Sequence, residues 1–342
     1  KHTFNERKGV LIKLDTNNGP VYSEAAPLPG YSEESFDNIL TWINDHGDLD
    51  LSHGMISVRK NAEVLPPPSL QFAIDALFWQ RVALEQEKPL HAVLFETAAE
   101  PLSIPLNGTI GLSSPTDALE QAGEFVNSGY ETLKVKINPD IQQSIEVISE
   151  IRSNYPHIKL RVDANRSLNL AEAETVLTEL EPLHVDYIEE PLQADEQHHL
   201  EILKDHTSIN LAADESVRTV DEVKRIAEEN LYDTLILKPM LLGSFQNLFS
   251  IMRLVLRNNL DVVLTSSLES AVGRLITAHL AVGLSEFKST AQGLSTGHLL
   301  QTDFIDQDQF ITNGSLNLTA EPGLGQHFEI KNTNVELNEL TL

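Results

Sequence analysis

Cysteine is absent from all 342 residues. That rules out a disulfide framework, a thiolate metal site and a cysteine nucleophile, and it fits a reducing compartment. Chemistry falls to carboxylates, lysines, histidines and hydroxyls. Positive charge is scarce: 24 Lys and Arg face 51 Asp and Glu, for a formal charge of −27 and a pI near 4.7. Phosphate backbones are gripped by clustered Lys and Arg, so this balance argues against a nucleic-acid partner and for a small substrate carried with a cation. Long apolar runs are missing too. Lys1-His2-Thr3-Phe4-Asn5 has no apolar signal core, and no later stretch reaches the roughly 18 apolar residues of a membrane span. The expectation is a soluble cytoplasmic protein with no membrane partner. At 41% hydrophobic content, the chain can form one large domain plus a smaller one.

The pattern changes near Pro101. Before it, Val10–Leu14 and Val21–Glu24 read as strands around an Asn17-Asn18-Gly19 turn, a strong hairpin signal. Helical periodicity follows over Ser32–Ile43 and Ser69–Leu84, separated by Pro66-Pro67-Pro68. From Leu106 to Gln292, short apolar runs alternate with amphipathic helices at a period of roughly 25 residues, the rhythm of βα units. Candidate strands are Leu106–Thr109, Thr132–Ile137, Lys159–Asp163, Asp186–Glu189, Asn210–Ala213, Thr234–Lys238, Asp261–Ser266 and Lys288–Gln292. Eight such strands predict an α/β fold, a closed (β/α)8-type barrel. The expected division is an α+β capping domain over 1–100, the barrel over 101–309, and a segment over 310–342 that returns to the cap.

In such a barrel the active site lies at the C-terminal strand ends, and here those ends are charged. Lys134 and Lys136 are two apart, so both point to one face of their strand. If that face is the lumen, a neighbouring cation lowers a lysine from about 10.4 and makes it a base; a solvated edge strand is the bland alternative. Asp163, Glu189 and Asp214 close three successive strands. Each alone is equally explained as a helix N-cap. Together, carboxylates about 4 Å apart repel by about 4 kcal/mol at an effective dielectric near 20, and a hard cation such as Mg²⁺ relieves that. Glu190 and Glu215 read as supporting or loop residues.

The set Lys134-x-Lys136, Asp163-Ala-Asn, Glu189-Glu-Pro-Leu, Ala213-Asp-Glu-Ser and Lys238-Pro, in this order on successive strands, resembles the muconate-lactonizing branch of the enolase superfamily, which uses a Lys or His base with Mg²⁺. Glu24–Gly30 and Pro68–Leu77 resemble its capping-domain loop and helix. The resemblance implies one Mg²⁺ per subunit on Asp163, Glu189 and Asp214. It also implies Lys136 and Lys238 facing each other across a small-molecule carboxylate substrate, with Lys134 tuning Lys136. The family carries a substrate-covering loop between its first two strands, and Phe4–Gly9 leaves little room for one.

Within the branch, Arg161–Arg166, Thr265–Ser270 and Gln292–Gly297 look most like the o-succinylbenzoate synthase subfamily. The implied substrate-binding residues are Arg161, Ser266, Ser267 and Gly293. A barrel-core ion pair explains Arg161 as well, and a strand-end turn explains the serines. Other readings are an N-acylamino-acid racemase, dipeptide epimerase or cycloisomerase on the same lysines, or a non-catalytic carboxylate-binding barrel. His198-His199 reads as solvated surface, and no Gly-x-Gly-x-x-Gly follows the first strand. Oligomeric state is left open.

Overall fold

The computed structural model describes residues 6–46, 53–137, 139–284, 291–305 and 310–325. An antiparallel hairpin comes first, β1 (Val10–Thr16) and β2 (Gly19–Ala25), with Thr16 paired to Gly19 across Asn17-Asn18. Gly19 has φ +117°, which glycine reaches without a Cβ clash. Three helices cover the hairpin: α1 (Phe36–His46), α2 (Met55–Asn61) and α3 (Pro68–Glu85). α1 begins later than its periodicity suggested, because Asn38 accepts from the Ser35 N–H at 2.8 Å and holds the preceding residues in a turn. Ile39, Trp42 and Ile43 meet Met55, Val58, Leu70 and Ile74 in a core of their own. The other face of α3 joins the main core through Phe72 and Ala76. Buried Asp75 accepts from the Met55 N–H at 3.0 Å and the Phe245 N–H at 2.9 Å, tying cap to barrel.

α4 (Leu90–Phe95) and β3 (Leu102–Pro105) lead into seven parallel strands. They are β4 (Asn107–Ile110), β5 (Thr132–Lys136), β6 (Lys159–Asp163), β7 (Tyr187–Glu189), β8 (Asn210–Ala213), β9 (Thr234–Leu237) and β10 (Asp261–Leu264), neighbours in that order. The connecting helices are α5 (Pro115–Asn127), α6 (Ile141–Asn154), α7 (Leu170–Leu180), α8 (Leu200–Asp205) and α9 (Val220–Glu229). After β9 come α10 (Pro239–Leu242) and α11 (Phe245–Asn258), and after β10 comes α12 (Ala271–Ala281). Leu133, Val135, Leu160, Val162, Ile188 and Leu211 are buried in the main core, as expected of parallel strands covered on both faces. Tyr187, Ala212, Ile236 and Val263, from four adjacent strands, pack together as a separate layer.

The ring closes through two bridges, Leu106 to Gln292 and Thr265 to Gly293. A Cβ on Gly293 would stand 2.4 Å from the Thr265 hydroxyl oxygen, so only glycine permits this approach. Of the expected eighth strand, Gln292 is in place and residues 288–290 lie outside the described residues. The architecture is a (β/α)8-type barrel with an α+β cap. Further on, β11 (Ile311–Thr312) and β12 (Ser315–Leu318) form a three-stranded antiparallel sheet with β3. Gly323 pairs with Pro89 and accepts from the Leu90 N–H at 2.7 Å. Residues 326–342, part of the predicted returning segment, lie outside the described residues.

Candidate active site

Strand register builds the site. Lys136 pairs with Asp163, and Asp163 with Glu189. Asp214 follows β8 by one residue and Lys238 follows β9 by one. Across five adjacent strands the C-terminal rim therefore reads Lys136, Asp163, Glu189, Asp214, Lys238: three carboxylates with a lysine at either end. All three carboxylates are buried. Lys134 lies one layer deeper, with its ammonium between two of them, 2.9 Å from Asp163 Oδ2 and 2.7 Å from Glu189 Oε2. Lys136 Nζ donates to Asn165 Oδ1 at 2.7 Å and stands 3.4 Å from Asp163. Lys238 pairs with Asp214, and its ammonium lies 5.0 Å from the centroid of the Tyr31 ring, within cation–π range.

Electrostatics separate these groups. Burial works against the charge on Lys134, yet Asp163 and Glu189 outweigh it and hold the ammonium well above the usual lysine range. The expectation of a lysine pushed down by its neighbour therefore does not hold for Lys134, whose carboxylate neighbours decide. Burial also disfavours the Asp163 charge, but Lys134, Lys136 and the Asn165 N–H at 3.0 Å bring its carboxyl down to about 2. Glu189 goes the other way: burial and the Asp163 charge push it well above the carboxylate range against the pull of Lys134, and Asp214 pushes further. Counting Lys134, three ammonium groups face the three carboxylates. Among the described residues, no three acidic or imidazole groups meet at one metal-binding point; the Lys134 ammonium stands between Asp163 and Glu189. The donor set is nonetheless all carboxylate oxygen, which fits a hard divalent ion.

Support comes from behind. The buried Glu190 carboxylate accepts from the N–H groups of Asp214 at 2.9 Å and Ser216 at 2.6 Å and pairs with Arg166 at 3.0 Å, locking the turn after β8. Glu215 accepts from the Tyr31 hydroxyl and from Asn165 at 3.4 Å, while its buried Oε2 has no hydrogen-bond partner among the described residues. Asn165, Arg166 and Glu190 have φ of +44°, +56° and +40°, so backbone strain gathers beside the carboxylates, as it does at functional sites. Tyr31 was missed from sequence. The cap-loop motif Glu24–Gly30 stops one residue short of it, and nothing local marks a tyrosine that reaches the barrel.

The remaining candidates have protein partners of their own. Arg161 is fully buried and spends its guanidinium on Ala291 O at 2.7 Å, Asn107 Oδ1 at 3.3 Å and Asp186 at 3.3 Å, over the Tyr187 ring, the contacts of a barrel-core ion pair. Ser267 gives both its N–H and its hydroxyl to Glu269, the latter at 2.9 Å. Ser266 Oγ meets Thr296 Oγ1 at 2.6 Å. Gly293 serves the barrel closure described above. His198 bonds to the Asp195 carbonyl at 2.9 Å and is apart from the row.

Comparison with known proteins bears on this geometry. Residues 117–331 match the family described as Enolase C-terminal domain-like. The chain is 27% identical over 335 residues to o-succinylbenzoate synthase of Bacillus subtilis, covering 94% of this chain and 87% of that one. It is 29% identical over 336 residues to L-Ala-D/L-Glu epimerase of Clostridium acetobutylicum, covering 94% and 92%. Its fold superposes on a dipeptide epimerase from Cytophaga hutchinsonii complexed with Mg and the dipeptide D-Ala-L-Val, with a TM-score of 0.82 at 22% identity over 95% and 89% of the two chains. Barrel, cap and family match agree, and the chain belongs to the Enolase C-terminal domain-like family of the enolase superfamily.

Proposed function

We propose that the chain is a Mg²⁺-dependent o-succinylbenzoate synthase, a lyase that dehydrates 2-succinyl-6-hydroxy-2,4-cyclohexadiene-1-carboxylate to 2-succinylbenzoate. The observation that carries this is the row of three buried carboxylates flanked by Lys136 and Lys238. Asp163, Glu189 and Asp214 would hold the ion. When bound, Mg²⁺ supplies positive charge against the negative charge that gathers on the substrate carboxylate as the neighbouring proton leaves.

Lys136 is the more exposed of the two flanking lysines, 32% against 11% for Lys238, and in its neutral form it takes the proton alpha to the carboxylate. The C–H electron pair moves into the ring, the C–O bond breaks, and the hydroxyl leaves with the proton from Lys136 as water, so the same lysine serves both steps on one face. Lys238, held by Asp214 over the Tyr31 ring, stabilises the anion from the other side. Lys134 stays charged beneath, held by Asp163 and Glu189.

The strand-eight rim supports an anionic tail. Gln292–Gly297 contains no acid, and its Ser295 and Thr296 hydroxyls bond to Tyr130 at 2.7 Å and Ser266 at 2.6 Å. A dipeptide ammonium placed there lacks the charge-assisted partner that burial demands. A second reading, racemisation of N-succinylamino acids, is favoured by the two lysines at opposite ends of the row, which suit two-base proton transfer. The test is incubation with Mg²⁺ and the cyclohexadiene carboxylate, followed by the aromatic absorbance, beside NMR of solvent deuterium entering dipeptide and N-succinylamino-acid panels. Aromatic product with slow dipeptide exchange is expected. Fast exchange into free-amine dipeptides without aromatic product overturns the proposal.

A further inference from the structure

The segment Glu6–Gly9 takes no part in the chemistry above, yet Arg7 joins distant parts of the chain. Nη1 donates to Pro27 O at 2.6 Å and Nη2 to Ala26 O at 3.1 Å; Nη2 also donates to Ser267 O, and Nε to Leu268 O, each at 3.2 Å. Two of these carbonyls belong to the cap loop that continues to Tyr31, and two to the barrel loop after β10. Gly9 lets the segment lie this close, since a Cβ there would stand 2.8 Å from the Ala26 Cβ. Two buried carboxylates add their charge to the guanidinium's surroundings: Glu269, which accepts from Ser267, and Glu24, which accepts from the Ser270 N–H at 3.0 Å. Leu268, whose carbonyl Arg7 holds, has φ +61°, a conformation that a leucine keeps only where its surroundings impose it.

We propose that Arg7 is a positioning residue whose guanidinium sets the spacing between the cap loop Ala26–Tyr31 and the barrel loop Thr265–Ser270. It thereby sets the width of the substrate pocket between them. This rests on the proposed function insofar as the two loops are taken as pocket walls. Arginine suits the role because its planar fork presents five N–H donors in fixed directions. A lysine ammonium is a point charge and cannot hold four carbonyls of two loops in the same arrangement. Loss of the fork frees both loops together.

The full chain carrying Arg7→Lys or Arg7→Ala tests this by two measurements. The first needs no substrate: hydrogen–deuterium exchange of peptides spanning 23–31 and 265–271 should speed at least tenfold in both loops of Arg7→Lys, while peptides across β5–β7 keep their protection. Unchanged exchange in either loop overturns the proposal. The second is steady-state turnover of the cyclohexadiene carboxylate. KM should rise at least tenfold with kcat within about threefold, and guanidinium ion added to Arg7→Ala should recover most of the KM. A fall in kcat at constant KM, or no rescue in folded Arg7→Ala, overturns it. If Arg7→Ala does not fold, exchange and KM of Arg7→Lys decide. If wild type does not convert this substrate, the functional reading fails, and the exchange measurement still decides the role of Arg7.

Discussion

At the scale of single residues, each member of the row makes a separate demand on experiment. Lys136 is the only group assigned to move the proton, so Lys136→Ala should lower kcat by about 10²–10⁴, the range of general acid–base catalysis. Lys238→Ala should leave part of the proton exchange intact, because the proposed mechanism gives that side chain charge stabilisation and not the proton. Steady-state rates together with solvent-deuterium exchange separate the two. Asp163→Asn and Glu189→Gln should each abolish Mg²⁺ binding in calorimetry while circular dichroism stays unchanged; an unaltered affinity in both refutes the metal assignment. The row was legible in sequence because a period of two and a strand end together decide which side chains share the rim. Tyr31 and Arg7 were not. Their barrel partners lie 184 residues away for Tyr31 and 260 for Arg7, and neither sits in a repeating pattern that reports a contact of that range.

At the scale of elements, the barrel strands were readable because each is a short apolar run. β6 and β8 begin and end where the sequence placed them. α10 was not anticipated: Pro239 cannot continue β9 as a ladder donor, but it suits the first position of a helix, and the four-residue turn is too short to show periodicity. Local signals also predict local effects. Asn169 and Glu172 form a capping box at the start of α7, so Asn169→Ala should cost about 1 kcal/mol in denaturant unfolding and leave kcat alone. Gly293→Ala forces a methyl against Thr265 at the barrel closure. It should cost about 1–3 kcal/mol, the usual penalty of overpacking, and a value near zero there means that the closure is looser than described.

At the scale of the whole molecule, one buried pair couples stability to pH. His91 on α4 and His279 on α12 stack with centroids 5.2 Å apart and Nδ1 atoms 3.1 Å apart, and His279 Nε2 meets the Leu324 carbonyl at 3.2 Å. Burial, aided by His91, holds His279 down at about 3, and burial lowers His91 as well. An unfolded histidine titrates near 6.5, so between pH 6.5 and 3 the unfolded chain binds a proton that the folded chain refuses. Stability should therefore fall with decreasing pH in that window, by at most about 1.4 kcal/mol per pH unit from His279, and be insensitive to this pair above pH 6.5. Unfolding free energies measured from pH 7 to 5 should slope less in His279→Gln than in wild type; equal slopes remove the pair from the account.

The central claim is that Lys136 removes the proton next to a substrate carboxylate held over the Asp163–Glu189–Asp214 row. Its most direct test is Mg²⁺-supported turnover of the cyclohexadiene carboxylate deuterated at that carbon, wild type beside Lys136→Ala. Wild type should release the deuterium as aromatic product forms, and Lys136→Ala should do so at least a hundredfold more slowly. Release by Lys136→Ala at a rate close to wild type contradicts the account.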